Sequence, residues 1–184
     1  MGFGYTGKRI RLVPVDVERH LENFYQWIND SDVTDTLGIT GSPITRASER
    51  EVVESFGKDP KHIIWAVETI DGVHIGISGI HDINLRNGVA NTGSFIGAAE
   101  YRGKGYGTEA SVLRARYAFE VLGLRMLKST VLDGNEASRR MMEKTGYVEY
   151  GRIAGEHWKN GEYRDMVYTV LTKERFAELW SRGT

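Results

Sequence analysis

Residues 9–13, Arg-Ile-Arg-Leu-Val, alternate polar and apolar before Pro14, the period-two pattern of a strand with one buried face, ended by a residue that has no N–H to donate. From Val17 to Ile28 the period changes. Leu21, Phe24, Tyr25, Trp27 and Ile28 recur at helical spacing, and Asp30-Ser31-Asp32 breaks the run. Residues 36–43 read as a glycine-containing loop. Thr45 or Ser48 then caps a second helix through Phe56, because Ser48 with Glu51 makes a capping box, and Gly57 and Pro60 stop it. The next stretch, 62–70, is rich in β-branched and aromatic residues. Asp71-Gly72 turns it into a partner at 73–83, and Asn87-Gly88 turns that into a third strand at 89–99. Beyond a glycine-rich hexapeptide at 102–107, Ala110, Val112, Leu113, Ala115, Tyr117, Ala118, Val121 and Leu122 mark a helix ended by Gly123. A short apolar strand at 126–132 follows, so strand, helix and strand make a parallel crossover. Asn135 opens a helix through Lys144, stopped at Gly146. A hairpin of 148–158 and 163–171 turns at Asn160-Gly161, and a short amphipathic helix spans 173–180.

Length and charge narrow what this pattern can do. The 184 residues suit one domain, 1–184, with a full core and a ligand cleft. Lys plus Arg (24) nearly balance Asp plus Glu (25), so no global field draws nucleic acid or an anionic membrane. There is no cysteine, which excludes disulfides, thiolate metal sites and a thiol nucleophile. No apolar run reaches membrane-spanning length and residues 1–8 hold no signal core, so a cytoplasmic protein is expected.

The hexapeptide Arg102-Gly103-Lys104-Gly105-Tyr106-Gly107, followed by Thr108, carries the chemistry. Alternate glycines leave backbone N–H groups uncovered, and a helix beginning there adds unpaired first-turn N–H groups and a positive dipole end. That combination suits a phosphate or pyrophosphate, with Arg102 and Lys104 as neighbouring positive charge; the bland reading is a tight strand-to-helix connection. Two familiar phosphate loops fit poorly. The P-loop needs Gly-Lys-Ser/Thr, and the dinucleotide fingerprint needs G-x-G-x-x-G early in the fold, whereas the spacing here is G-x-G-x-G past mid-chain. A nucleotide-binding protein is thereby disfavoured.

Arg102, Gly105 and Gly107 do fill the pattern Arg/Gln-x-x-Gly-x-Gly/Ala, and the hexapeptide resembles the acyl-CoA pyrophosphate loop of the GCN5-related N-acetyltransferases. Residues 135–147 are similar to the family's second signature, N-x-x-S-x-x-x-x-E-K-x-G-F/Y, and 161–165 to a run of its RimJ/RimL-type branch. The resemblance implies a mixed α/β fold: a mostly antiparallel seven-stranded sheet with a central, splayed parallel pair and helices on both faces. It implies acetyl-CoA as co-substrate and no metal. It also implies a primary-amine acceptor, either a protein N-terminus or a small molecule, with a homodimer plausible by analogy.

Residue by residue, the resemblance assigns the pyrophosphate to the N–H groups of Arg102, Gly103, Lys104, Gly105, Tyr106, Gly107 and Thr108. The pantetheine falls to the strand at Phe95, Ile96 and Gly97, one of whose N–H groups polarises the thioester carbonyl. Many relatives protonate the leaving thiolate from a tyrosine, where this chain has Met142, which cannot donate. Ser138 is the substitute, and Asn135 either holds a pantetheine amide or simply caps its helix. A glutamate common on the strand before the loop is replaced by Asn91 and Thr92. His81 and Asp82 are then the nearest candidates for handling the amine, with Glu156 and His157 behind them. Trp27 stands on the wall of the acceptor cleft or in the core. Loss of both proton-handling residues leaves a second class open, a non-catalytic acyl-CoA-binding sensor or assembly module.

Overall fold

The fold is described from a computed structural model, which places residues 5–37 and 43–180. The expectations for 1–4 and for most of the loop at 36–43 therefore lie outside the described residues. Seven strands run β1 (Ile10–Pro14), β2 (Ile63–Thr69), β3 (His74–Asn84), β4 (Val89–Ile96), β5 (Met126–Leu132), β6 (Val148–Lys159) and β7 (Glu162–Thr172). They form one sheet in the order β1-β2-β3-β4-β5-β7-β6. Every neighbouring pair is antiparallel except β4 and β5. That pair is joined by α4 (Tyr106–Glu120), as the crossover pattern requires. Pro14 pairs with Trp65 inside β1 rather than ending it; its nitrogen has the outward phase of the Leu12 N–H, which donates to the Tyr5 carbonyl, and the outer pairing with residues 5–7 stops short of Pro14.

The helices divide between the two faces. On one side α4 and α5 (Glu136–Thr145) cover a core that includes Leu12, Val67, Ile80, Leu127 and Leu171. On the other, α1 (Val17–Ile28), α2 (Ser31–Leu37) and α3 (Arg46–Ser55) enclose a smaller cluster of Leu21, Phe24, Trp27, Val33 and Val53. The run Asp30-Ser31-Asp32 ends α1 but also starts α2, with Asp30 Oδ1 accepting from the Asp32 N–H at 3.0 Å. Helix α3 is capped by Thr45, whose hydroxyl accepts from the Ser48 N–H, and not by Ser48. The last helix, α6 (Lys173–Leu179), packs Phe176 against Phe119 of α4.

The parallel pair positions the site. Strands β4 and β5 are in register at Val89–Met126, Ala90–Leu127 and Asn91–Lys128, and nowhere further. One residue on, hydroxyls replace the ladder: Thr92 Oγ1 donates to the Lys128 carbonyl, and Ser129 Oγ to the Thr92 carbonyl. From Gly93 onward the strands part, leaving a V-shaped gap bordered by the second half of β4.

Candidate active site

At the top of β4 a short 3₁₀ turn (Ala99–Tyr101) leads into the glycine segment. Gly103 and Gly105 have φ of 73° and 85°, a region that other residues enter only with strain, and Gly105 is the N-cap of α4. No side chain caps this helix. The first backbone bond along it runs from the Glu109 N–H to the Gly105 carbonyl at 3.1 Å, so among the described residues the six N–H groups of 103–108 make no well-formed hydrogen bond to the protein. A row of unsatisfied donors at the positive end of a fifteen-residue helix is a cradle for a multiply charged oxyanion group.

Arg102 does not add its charge to that row. Its Nε donates to the Ile96 carbonyl at 3.1 Å and its Nη2 to the Gly97 carbonyl at 2.6 Å, with Asp30 3.7 Å away. It splints the end of β4. The loop is braced from outside by Arg9, a residue the sequence pattern did not single out. Its backbone N–H and its Nε bind Glu109, its Nη1 donates to the Lys104 carbonyl at 2.9 Å, and its guanidinium lies 4.5 Å from the centre of the Tyr106 ring. Only the chain trace could have found it, because ninety-five residues separate Arg9 from Lys104.

The hydrogen-bond phase of β4 decides which groups face the gap. The Gly97 N–H donates to the Ile75 carbonyl at 2.9 Å, and Ile96 lies opposite Gly76. Bonded and non-bonded pairs alternate along an antiparallel ladder, so Phe95 and Gly93 turn their N–H groups to β3 while Ser94 and Ile96 turn theirs to the open side. The side chain of Ser94 reaches α5, with its Oγ 4.0 Å from Met141 Sδ. Met141 also lies against Gly107, so one methionine spans the mouth of the gap. Met142 is instead buried in the core.

Asn135 and Ser138 sit together at the start of α5. Asn135 Oδ1 accepts from the Ser138 N–H at 3.0 Å, so the capping role is present. Ser138 is half-buried and its hydroxyl has no hydrogen bond among the described residues.

Trp27, Phe95 and Gly97 form a second layer on the α1 face. The indole is buried, 6.1 Å from the Phe95 ring, and lies on the Gly97 backbone. His81 is on the same face but opposite Asn91, five residues beyond Gly76 in β3, so the structure does not bring it beside Ile96. Its ring folds over two residues without side chains, with Nε2 2.7 Å from where a Gly79 Cβ would stand and 3.8 Å from a Gly93 Cβ. With His62, Ile64 and Phe56 it lines an open hollow of about 450 Å³. Burial pulls the His81 pKa down, helped by His62 and Arg114 and opposed by Asp82. Asp82 is exposed in the bulge after His81, at φ 51°, accepting from Asn91 Nδ2 at 2.9 Å and remote from Trp27. Glu156 accepts from the Tyr168 hydroxyl at 2.7 Å, which raises the tyrosine pKa. Across the cleft Asn160 donates to Asp35 of α2. No group of His, Asp or Glu among the described residues has metal-binding geometry, and no described helix is long and apolar enough to cross a membrane.

Comparison with known proteins agrees with this geometry. The acetyltransferase (GNAT) domain matches residues 9–148. The Bacillus subtilis (strain 168) protein named "Putative ribosomal N-acetyltransferase YdaF" is 30% identical over 171 residues, 91% of this chain and 92% of that protein. The spermidine N(1)-acetyltransferase of Escherichia coli (strain K12) is 30% identical over 106 residues, 58% of this chain and 56% of the enzyme. Among solved structures, the Vibrio cholerae spermidine N-acetyltransferase in complex with CoA and spermine superposes with a TM-score of 0.83 at 20% identity, over 91% of this chain and 97% of that one. Mycobacterium smegmatis RimJ in complex with CoA-disulfide gives 0.79 at 19%, over 90% and 82%. The chain belongs to the GCN5-related (GNAT) acetyltransferase family.

Proposed function

We propose that this protein moves an acetyl group from acetyl-CoA to a primary amine by direct attack within a ternary complex. The observation that carries the reading is the row of six unsatisfied N–H groups at 103–108 beside the parting of β4 and β5. The cradle suits a pyrophosphate, and the gap, edged by the outward N–H groups of Ser94 and Ile96, suits an amide-bearing arm that continues the ladder. Acetyl-CoA supplies an acyl carbon already activated on sulfur. In the reaction the amine N–C bond forms, the C–S bond breaks, sulfur leaves with the bonding pair, and the proton lost by nitrogen must reach sulfur.

The Ile96 N–H is the donor placed to polarise the carbonyl, because its own carbonyl is held by Arg102 and its N–H points into the gap. Ser138 Oγ, at the start of the facing helix, would donate to the departing sulfur. Asn135 holds that turn in shape. His81 is the base, kept neutral by burial and working through water, since three residues of strand separate Gly93 from Ile96, about 10 Å. The acceptor enters between α2 and the β6–β7 hairpin, a wall that carries Asp30, Asp32 and Asp35 and so favours a cationic amine, whether a peptide N-terminus or a polyamine.

The test is release of free CoA, read with a thiol reagent, across polyamines, aminoglycosides, amino acids and N-terminal peptides, with calorimetric binding of acetyl-CoA alongside. Acceptor-dependent release is expected for one class. The core position of Met142 favours a second reading, a sensor that binds acyl-CoA without turnover. Tight binding with no release across the whole panel would select it.

A further inference from the structure

Arg114 is fully buried, at 0% exposure, near the middle of α4. A buried guanidinium normally sits against a carboxylate, because water no longer solvates the charge and an opposite charge must take its place. Among the described residues this one has only neutral partners. Nη1 donates to Ser78 Oγ at 3.1 Å and to the Gly93 carbonyl at 2.8 Å, Nη2 donates to Ser111 Oγ at 3.2 Å, and Nε has no acceptor. The acidic side chains of its own helix are directed elsewhere, Glu109 to Arg9 and Glu120 to Arg116. Of the elements packed against α4, β4 carries no titratable side chain, β1 brings Arg11 and, just before it, Arg9, each bound to a glutamate, and α5 brings only exposed charges; from β3, His74 and His81 lie on the far side of the sheet and Asp82 is exposed.

The placement matters as much as the missing partner. Gly93 is the first residue beyond the Thr92 and Ser129 hydroxyl cross-links, and its carbonyl turns toward β3, so the guanidinium is anchored under the β3–β4 seam at the level where β4 and β5 begin to part. It acts from the α4 face, while the His81 imidazole covers the same Gly79–Gly93 pair from the other. The two glycines contribute no side chain to screen one group from the other.

We infer that Arg114 sets the electrostatic potential of the transfer site, its uncompensated positive charge stabilising the thiolate that leaves along the second half of β4. It touches neither reactant, so it is a positioning residue, acting through space. This inference rests on the acetyltransferase reading. The charge it favours is the one created when C–S breaks and sulfur keeps the electron pair, before the proton arrives. The same potential disfavours a protonated amine or imidazole beside the gap, the state that must be avoided for nitrogen to attack. A unit charge about 10 Å away at an effective dielectric of about 20 changes such an ionisation roughly 10- to 20-fold.

The absence of cysteine makes the effect directly measurable, since the sulfur of CoA is the one thiol in the sample. Calorimetric binding of CoA near pH 8, in buffers of different ionisation enthalpy and with desulfo-CoA as the control, reports protons released from that thiol. Wild type is expected to release protons with CoA and not with desulfo-CoA. Arg114→Met should unfold at the wild-type temperature or above it, because an unpaired charge has gone, yet its proton release should move up by about one pH unit. Arg114→Lys, which keeps the charge but not the fork of hydrogen bonds, should retain the wild-type release. Binding of CoA by wild type without proton release would overturn the inference and leave the acetyltransferase reading intact, whereas failure to bind CoA would overturn both. A folded Arg114→Met with wild-type release, or a folded Arg114→Lys without it, would likewise end the argument. If Arg114→Met fails to fold, the wild-type and lysine measurements decide.

Discussion

Trp27 lies on Gly97 so closely that a Cβ there would fall 2.0 Å from the indole Cδ2. The contact fixes the upper end of β4 against α1, and it explains a glycine whose backbone any residue could adopt. Gly97→Ala must push a buried indole away from Phe24, His74 and Phe95. The expected loss is about 1–3 kcal/mol of stability, measured by urea unfolding, with weaker acetyl-CoA binding because Ile96 shifts with its neighbour. Unchanged stability would mean that the ring yields freely and does not set the strand end.

Arg102 offers a choice between two roles that salt separates. A charge aimed at a phosphate is screened as ionic strength rises, whereas a splint between two backbone carbonyls is not. Arg102→Lys cannot reproduce the fork that holds Ile96 and Gly97. The variant should bind acetyl-CoA about 10-fold more weakly, with the deficit persisting at high salt. A deficit that vanishes between low and high salt would return Arg102 to the phosphate.

The contrast with Arg9 shows what the sequence made legible. The glycine turn could be read because positive φ and bare N–H groups follow from residue type at a short spacing, and the strands and most helices followed from periodicity, α1 to the residue. The direction of a long cationic side chain does not follow from spacing, so the sequence presents Arg102 as a phosphate neighbour, Arg9 as one residue of a strand and Arg114 as one more position on a helix. Helix α2 has no separate signal in the sequence, because Asp30 both ends one helix and supports the next. The outward N–H of Ile96 depends on ladder phase, which one hydrogen bond at Gly97 sets and no residue pattern announces.

Ser138 makes a prediction that is cheap in structural terms. Its hydroxyl has no protein partner among the described residues and its N–H is already capped by Asn135, so Ser138→Ala should change stability by less than about 0.5 kcal/mol. If the hydroxyl donates to the departing sulfur, kcat should fall about 10- to 100-fold while calorimetric affinity for acetyl-CoA stays within about 2-fold. Equal losses in affinity and kcat would assign Ser138 to binding instead.

The pair His20 and His74 predicts how the fold responds to acid. Both rings are buried between α1 and the sheet, with centroids 4.5 Å apart. His20 Nδ1 accepts from the Asp16 N–H at 2.9 Å and its Nε2 faces Glu68 at 3.1 Å. His74 Nε2 donates to the Gly76 carbonyl at 3.0 Å, which leaves Nδ1 to accept from Asn23 Nδ2 at 3.2 Å. A second proton on His74 would break the Asn23 bond inside the core, and burial, seconded by His20, pulls its pKa down from 6.5 to about 4. The unfolded chain takes up that proton near 6.5 and the folded one only near 4, so the folded state binds fewer protons between those values. Stability is therefore complete above about pH 6.5, declines as the pH falls toward 4 and levels off below, a change on the order of 3 kcal/mol. Glu68 acts later. Burial pushes its pKa up, but His20, Arg19 and Arg11 together hold it below the usual carboxylate range, so its contribution survives until the pH falls past that range. Urea unfolding at pH 7.5, 6, 5 and 4.5 should show the decline, and His74→Gln should flatten it over 6.5 to 4 while leaving the acidic end. A variant with the full wild-type slope would place the titration elsewhere.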